Sequence, residues 1–273
     1  MKAEDFASRA HCAKRVRDVV GLDTQLVGVL FQGPEDDAGS YADWQRVKSH
    51  RYCQALMRAR HGEKVVLMPD EISCPAAASV FGVAPLPEGL ASGRGLKGFG
   101  IVQEDETGAA MFRGMTRLPA GRIARIVLAP LQDFDEQPDV IVAEGPVKSL
   151  MWLLLADLNL ARGRRRIGET AVLQATCVDA TLVPYVEGRL NFSLGCYGCR
   201  EATDMGPGEA VVGFPGAMLE DICRTVEQLA EKAIPKSRSK SALARIGQRE
   251  GVGPPAPGAA PEEGPFDGGG ATP

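Results

Sequence analysis

A chain of 273 residues, 44% hydrophobic and 24% charged, can bury a substantial core as one large domain or two small ones. Its formal charge of -4 excludes the overall basic field that holds nucleic acid. The first 20 residues lack an uninterrupted apolar stretch, and polar residues interrupt the most apolar run, 147–161, so we expect a cytoplasmic protein without a membrane segment.

Helical and strand-like segments alternate along most of the chain. Apolar residues at helical spacing predict helices over residues 3–20, 41–60, 146–161 and 217–233, and a short helix from Pro75 to a stop at Gly82. Runs rich in β-branched residues predict strands over residues 25–31, 64–68, 122–131, 139–145 and 209–215. Residues 170–188 favour neither state, and the glycine-rich stretch 83–100 predicts a flexible surface loop.

These elements predict a single α+β or mixed α/β domain over residues 1–240, with helices packed on a mixed sheet. Beyond Pro235 the sequence becomes basic and polar, and after Glu250 it is rich in glycine and proline, with few large apolar residues. Such a composition cannot bury a core, so residues 241–273 are predicted to form a disordered tail.

The segment NFSLGCYGCREATD, residues 191–204, carries the clearest chemical signal. Cys196 and Cys199 stand at C-x-x-C spacing, and Gly195 and Gly198 leave room for a backbone that wraps closely around two sulfurs. A strand-like stretch precedes the pair and would deliver it from a rigid element. The sequence therefore predicts a thiol site here.

The chain has seven cysteines, and a reducing compartment disfavours structural disulfides. Cys12 and Cys223 lie inside predicted helices, where a cysteine usually acts as a small buried hydrophobe. Cys74 precedes Pro75 and is the predicted N-cap of a helix, which favours thiolate. Cys177 is a spare candidate, as a ligand or a resolving thiol. The four predicted metal ligands are Cys53, Cys74, Cys196 and Cys199.

Three kinds of thiol chemistry compete with simple packing of all the cysteines. An iron-sulfur cluster, expected as a 4Fe-4S cluster, agrees with thiolate-only ligands and with histidines that lie far away in sequence. Structural zinc fits the same four sulfurs. Dithiol redox chemistry needs only the C-x-x-C pair. Arg200 is the predicted cofactor-binding residue, because its charge could stabilise thiolates or an anionic ligand.

The sequence names no reaction and no catalytic residue. The G-x-S-x-G elbow, the H-E-x-x-H zinc helix and the dinucleotide-binding glycine motif are all absent. We expect a redox or electron-transfer role with a redox partner protein or a small-molecule ligand, and neither nucleic acid nor membrane as partner. The alternative is a small-molecule-binding or accessory protein with structural cysteines, in which residues 83–100 close over the ligand.

Several segments together resemble one family: YCQAL followed by RARHGE, SCPAAASVFG, PDVIVAEGP with MWLLL, and SLGCYGCREATD with VGFP. They resemble domain-of-unknown-function family 169, an uncharacterised archaeal and bacterial group, over roughly residues 20–236. The resemblance implies no reaction, and the glycine- and proline-rich tail looks like an addition to it. It implies family motif positions at Cys74, Cys196, Cys199, Arg200, Gly213 and Pro215.

Overall fold

A computed structural model describes residues 3–37, 39–163 and 175–250. The strands are β1 Val27–Gln32, β2 Gln45–Val47, β3 Val65–Leu67, β4 Arg125–Pro130, β5 Val140–Pro146, β6 Asn191–Ser193 and β7 Glu209–Pro215. The helices are α1 Ala3–Val20, α2 Tyr52–Arg60, α3 Pro75–Val80, α4 Glu88–Ala91, α5 Arg94–Gly98, α6 Asp105–Arg113, α7 Val147–Leu160, α8 Val183–Glu187, α9 Tyr197–Ala202, α10 Leu219–Glu231, α11 Ala233–Arg238 and α12 Ser241–Glu250.

The seven strands form one mixed sheet in the order β2-β3-β4-β1-β5-β7-β6. The β2–β3 pair is parallel, and the other described pairs are antiparallel. At the centre, Val29 of β1 lies opposite Leu128 of β4 on one side and Val140 of β5 on the other. The predicted mixed α/β fold, with helices packed on a mixed sheet, is therefore confirmed.

Both faces of the central strands are covered, because alternate side chains of a strand point to opposite faces. Val29 and Phe31 belong to the main core cluster, which includes Tyr52 of α2. Leu30 joins a separate cluster with Val127. This explains why all six residues of β1 are buried. The main cluster also contains Cys177, with Cys74 and Cys196 packed against it, so the thiols lie on the α2 face of the sheet.

Two predicted elements were wrong in type. Residues 41–60 were expected to form one helix, but β2 occupies Gln45–Val47 and helix α2 begins only at Tyr52. Val47 pairs with Leu67 in the sheet, and Ser49 adopts a φ of 52°, which a continuing helix does not allow. The apolar spacing fits a helix, and the strand pairing overrides it.

The second correction concerns residues 83–100, which contain the short helices α4 and α5 instead of a flexible loop. Both pack with α6, a helix that the sequence did not predict. Gly93 makes this packing possible, because an added Cβ there would lie 1.8 Å from the carbonyl oxygen of Asp105. Residues 175–187, whose state the sequence left open, are largely helical, with a π-helical turn over Val178–Leu182.

The chain divides into two compact units, Met1–Leu229 and Ala230–Pro273. The first unit contains the whole sheet, whereas sequence analysis placed the domain boundary at residue 240. Ser241–Glu250 forms α12, although these residues were assigned to the tail. Residues 251–273 of the predicted tail lie outside the described residues. Among the helices that the structure describes, none is long and apolar enough to cross a membrane.

Candidate functional site

Five cysteines line one small cavity of about 40 Å³, which we call the thiol cavity. They come from four separate segments: the start of α2, the residue before α3, the turn before the π-helix, and the C-x-x-C segment. All four predicted ligands are among them, together with the spare candidate. The five are Cys53, Cys74, Cys177, Cys196 and Cys199.

The C-x-x-C segment begins at the tight turn after β6 and continues into the first turn of α9. Gly195 has a φ of 75°, a conformation that glycine adopts readily. Cys196 is the N-cap of α9, and its Sγ accepts a hydrogen bond from the backbone N–H of Cys199 at 3.2 Å. The two Sγ atoms are also 3.2 Å apart, whereas a disulfide bond measures about 2.05 Å. The turn thus holds two reduced sulfurs in contact.

A glycine suits position 198 because the turn leaves little space there for a side chain. An added Cβ would lie 3.1 Å from Arg51 Nη1 and 3.8 Å from Cys196 Sγ. Gly195 is similarly crowded, with Met205 Sδ 2.6 Å from its would-be Cβ. The absence of side chains at both positions therefore lets Arg51 and Met205 pack against the backbone of the C-x-x-C segment.

The hydrogen bonds within the cavity select one thiol for ionisation. Cys199 Sγ accepts hydrogen bonds from Cys196, Cys53 and Thr176, which lower the pKa of the Cys199 thiol well below its usual range. Donation to Cys199, together with burial, raises the pKa of Cys53 and of Cys196. Burial raises the pKa of Cys177. Among the cavity's cysteines, Cys199 is therefore the one whose ionised form the hydrogen bonds favour most.

A short chain of hydroxyl groups supports Cys199. Its Sγ accepts a hydrogen bond from Thr176, whose carbonyl oxygen accepts a 2.9 Å hydrogen bond from the hydroxyl of Thr181. The Tyr52 hydroxyl lies 2.9 Å from Thr181 Oγ1. Sequence reasoning missed these residues, because the helical turn that presents Thr176 and Thr181 falls where the apolar pattern was ambiguous.

Arg51 is the cation at the cavity, and nothing in the sequence distinguishes it from other surface arginines. Its Nη1 donates to the Gly198 carbonyl oxygen at 2.9 Å and lies 3.1 Å from Glu201 Oε2. Arg200 makes a different set of contacts. Its guanidinium donates to three backbone carbonyl oxygens, those of Leu194, Gly206 and Glu209, and so fixes the chain on either side of the C-x-x-C turn. Binding of a cofactor by Arg200 stays a prediction.

The thiol cavity suits one soft metal ion better than a large cluster. Among the described residues, no three Cys, His, Asp or Glu side chains already stand at the spacing that a metal ion requires. The Cys196–Cys199 separation of 3.2 Å is nevertheless close to the roughly 3.8 Å edge of a tetrahedral zinc–thiolate site. The cavity volume is about that of one water molecule. A four-iron cluster would require the thiols to move farther apart.

The fold and the thiol cavity define a mixed α/β protein with a cysteine-lined site. The chain belongs to domain-of-unknown-function family 169, described as an uncharacterised ArCR family, whose model matches residues 15–225. It is similar to an uncharacterised protein of Methanocaldococcus jannaschii, with 29% identity over 222 residues that cover 80% of this chain and 94% of the relative. No solved structure matches the chain.

Proposed function

We propose that the protein is a cytoplasmic, cysteine-ligated metal protein with a redox or electron-transfer role. The observation that carries the proposal is the convergence of five cysteines from four separate segments on one cavity. Packing alone does not require thiols from so many segments to meet, whereas soft metal ions select clusters of thiolates. The ligand set remains the predicted one: Cys53, Cys74, Cys196 and Cys199.

Cys199 is the natural first ligand, because metal ions bind thiolates and its pKa is lowered. Cys74 and Cys196 are half-buried, so an ion can enter from their side of the cavity. Burial disfavours the ionised form of Cys177. Cys177 is nevertheless the alternative to Cys53 as the fourth metal ligand. Arg51 offsets part of the negative charge that four thiolates would bring together.

The redox role depends on iron. Iron held by thiolates changes its oxidation state by one electron, whereas zinc has no redox chemistry. The cavity volume favours a single iron ion over the four-iron cluster expected from the sequence. In both cases the protein's own contribution is the same: it holds the sulfurs, shields the buried Cys53 and Cys199 from water, and supplies the charge of Arg51.

The test is an analysis of iron, zinc and acid-labile sulfide in the full-length chain purified without oxygen. We expect about one iron per chain and a visible absorption band; sulfide in equal amount to iron would indicate the cluster. Cys196→Ser and Cys199→Ser should each lose the iron, while the matched variant Cys223→Ser should keep it. Zinc in place of iron would refute the redox role, and a metal-free protein would refute metal binding.

A dithiol redox function is a second candidate, favoured by the 3.2 Å contact between Cys196 and Cys199 and by the lowered pKa of Cys199. In this function, Cys199 attacks a disulfide substrate, and Cys196 then resolves the mixed disulfide. Mass spectrometry of the metal-free chain, equilibrated with ratios of oxidised to reduced dithiothreitol, would detect a Cys196–Cys199 disulfide. Its absence at every ratio would refute this candidate.

A further inference from the structure

A second cavity lies at the end of strand β1, and none of the functions above uses it. Its volume of about 350 Å³ is at the lower end of the range for small-molecule sites, roughly 300–1,000 Å³. We call it the β1 cavity. The end of β1 with the turn that follows it, residues 121–123 before β4, and helix α8 line this cavity. None of the described residues that line it is a cysteine, and none also lines the thiol cavity.

One wall of the β1 cavity is aromatic and is held in place by packing. The rings of Phe31 and Tyr185 stand edge to face, with their centroids 4.8 Å apart. Phe31 also packs against Phe81, which packs against the buried Tyr52, at centroid distances of 5.8 and 5.1 Å. The buried Ile123 adds an aliphatic surface. The wall is therefore preformed, and an aromatic ring can bind to it without the cost of ordering these side chains.

Arg122 supplies the β1 cavity with a cation. None of the described carboxylates forms an ion pair with this exposed arginine. Its main neighbour is the Tyr185 phenol, which raises the pKa of the Arg122 guanidinium, and the charges of Asp36 and Asp139 raise that pKa further. A guanidinium has five N–H donors, so contact with one phenol leaves a pair of donors for a carboxylate.

Asp36 supplies the opposite charge, from a turn that hydrogen bonds hold in place. Its Oδ2 accepts from the Gly33 backbone N–H at 2.6 Å, and its own N–H donates to the Gly33 carbonyl oxygen at 3.3 Å. Arg125 donates to the Asp36 carbonyl oxygen at 3.1 Å. Oδ1 of Asp36 makes no hydrogen bond with any described residue, so it is available to a ligand. Glu35, which is also exposed, adds a second carboxylate to the lining.

The β1 cavity thus combines opposite charges that do not pair with each other and an apolar wall. A ligand that carries both charges satisfies Arg122 and Asp36 together, whereas a phosphate group would bring its negative charge close to two carboxylates. The wall in turn favours a ligand with a ring. The volume suits a molecule of this kind and is small for a dinucleotide.

We propose that the β1 cavity binds a free aromatic α-amino acid. The carboxylate of the ligand pairs with Arg122, and its ammonium group pairs with Asp36 and Glu35. Its ring packs on Phe31 and Tyr185. The inference goes beyond the proposed metal site and does not depend on it, because the two cavities are lined by different residues.

The experiment is isothermal titration calorimetry of the full-length, reduced protein with L-phenylalanine, L-tyrosine and L-tryptophan. Three smaller probes each lack one part of the ligand: 3-phenylpropionate lacks the ammonium group, phenethylamine lacks the carboxylate, and L-alanine lacks the ring. We expect at least one aromatic amino acid to bind about tenfold more tightly than each of these probes, or better. Failure of all three aromatic amino acids to bind, or an equal affinity for L-alanine, would overturn the proposal.

Two variants at exposed positions assign the charged contacts. Arg122→Ala should weaken binding of the aromatic amino acid about tenfold without weakening phenethylamine binding, because phenethylamine has no carboxylate. Glu35→Gln combined with Asp36→Asn keeps an oxygen for the Gly33 N–H; it should weaken binding of the amino acid but not of 3-phenylpropionate. Arg224→Ala, at an exposed arginine of α10, is the matched control and should bind as wild type. Undiminished binding of the amino acid by Arg122→Ala would place the ligand elsewhere and overturn the proposal.

Discussion

The protein contains a second group of buried thiols, and its comparison with the thiol cavity shows what distinguishes a site from packing. Cys12 of α1 and Cys223 of α10 are both buried and share a hydrogen bond. That bond lowers the pKa of Cys12 and raises the pKa of Cys223. In sulfur–sulfur contact and in the opposed pKa shifts of its two thiols, this pair therefore resembles Cys196 and Cys199.

The two groups differ in the number of thiols that meet and in the number of chain segments that supply them. Cys12 accepts hydrogen bonds from one thiol, that of Cys223, and from Ser8, whereas Cys199 accepts from two thiols and a threonine. An arginine paired with a glutamate lies near each group, Arg15 with Glu227 at the helical pair and Arg51 with Glu201 at the thiol cavity. Burial, a thiol neighbour and a nearby cation are thus insufficient to define a site. Convergence of thiols from four segments on one cavity is the distinguishing feature.

The largest expected effect tests how the thiol cavity is assembled. Gly213 of β7 lies so close to the π-helical turn after Cys177 that an added Cβ would be 1.7 Å from the carbonyl oxygen of Ala180. Gly213→Ala should reduce the unfolding free energy by about 3 kcal/mol or more, because the backbone contact cannot relax cheaply. Urea denaturation measures the change.

The matched control for Gly213→Ala is Gly208→Ala, at a glycine with no atom within 4 Å of its would-be Cβ. The control should change stability by less than about 0.5 kcal/mol. Similar stabilities for the two variants would mean that the turn carrying Cys177 is not held against β7 as the structure shows. No comparable backbone contact is needed for Cys12 and Cys223, which sit on regular helices.

The next largest effect is the contribution of the buried Glu144 of β5 to the pH dependence of the unfolding free energy. Its pKa is about 7 in the folded protein against 4.5 for a free side chain, so the folded state binds more protons between these values. The unfolding free energy should therefore fall as pH rises from 4.5 through 7, by up to about 3 kcal/mol. Glu144→Gln lacks this contribution. The difference between wild type and variant, measured by denaturation at each pH, should follow this curve; a flat difference would contradict it.

A smaller effect is expected at the helical thiol pair. Cys12→Ala or Cys223→Ala should each destabilise the protein by on the order of 1 kcal/mol, the cost of removing a small buried group. Neither variant should change the metal content. Loss of metal in either variant would show that the comparison assigns function to the wrong sulfurs.

The sequence predicted the four ligand cysteines as one set, but not the elements of the fold that bring them together. The C-x-x-C turn and Cys74 before Pro75 follow from spacing, glycine and proline, all of which act over a few residues. That Cys53 and Cys177 reach the same cavity depends on sheet order and on a helical turn that no periodicity marked. The strand Gln45–Val47 was missed because it depends on a non-local pairing, with β3 later in the chain.

The smallest expected effect concerns the end of the chain, which contributes a sulfur to neither group. Residues 251–273 contain no cysteine, and their one large aromatic residue is Phe266. A segment of this composition has almost no apolar surface to bury, so its contribution to the unfolding free energy should be close to zero. A chain ending at Glu250 should therefore keep the melting temperature and the metal content of the full-length protein. A clear fall in melting temperature would show that the segment packs on the fold, and a loss of metal would show that it helps to close the thiol cavity.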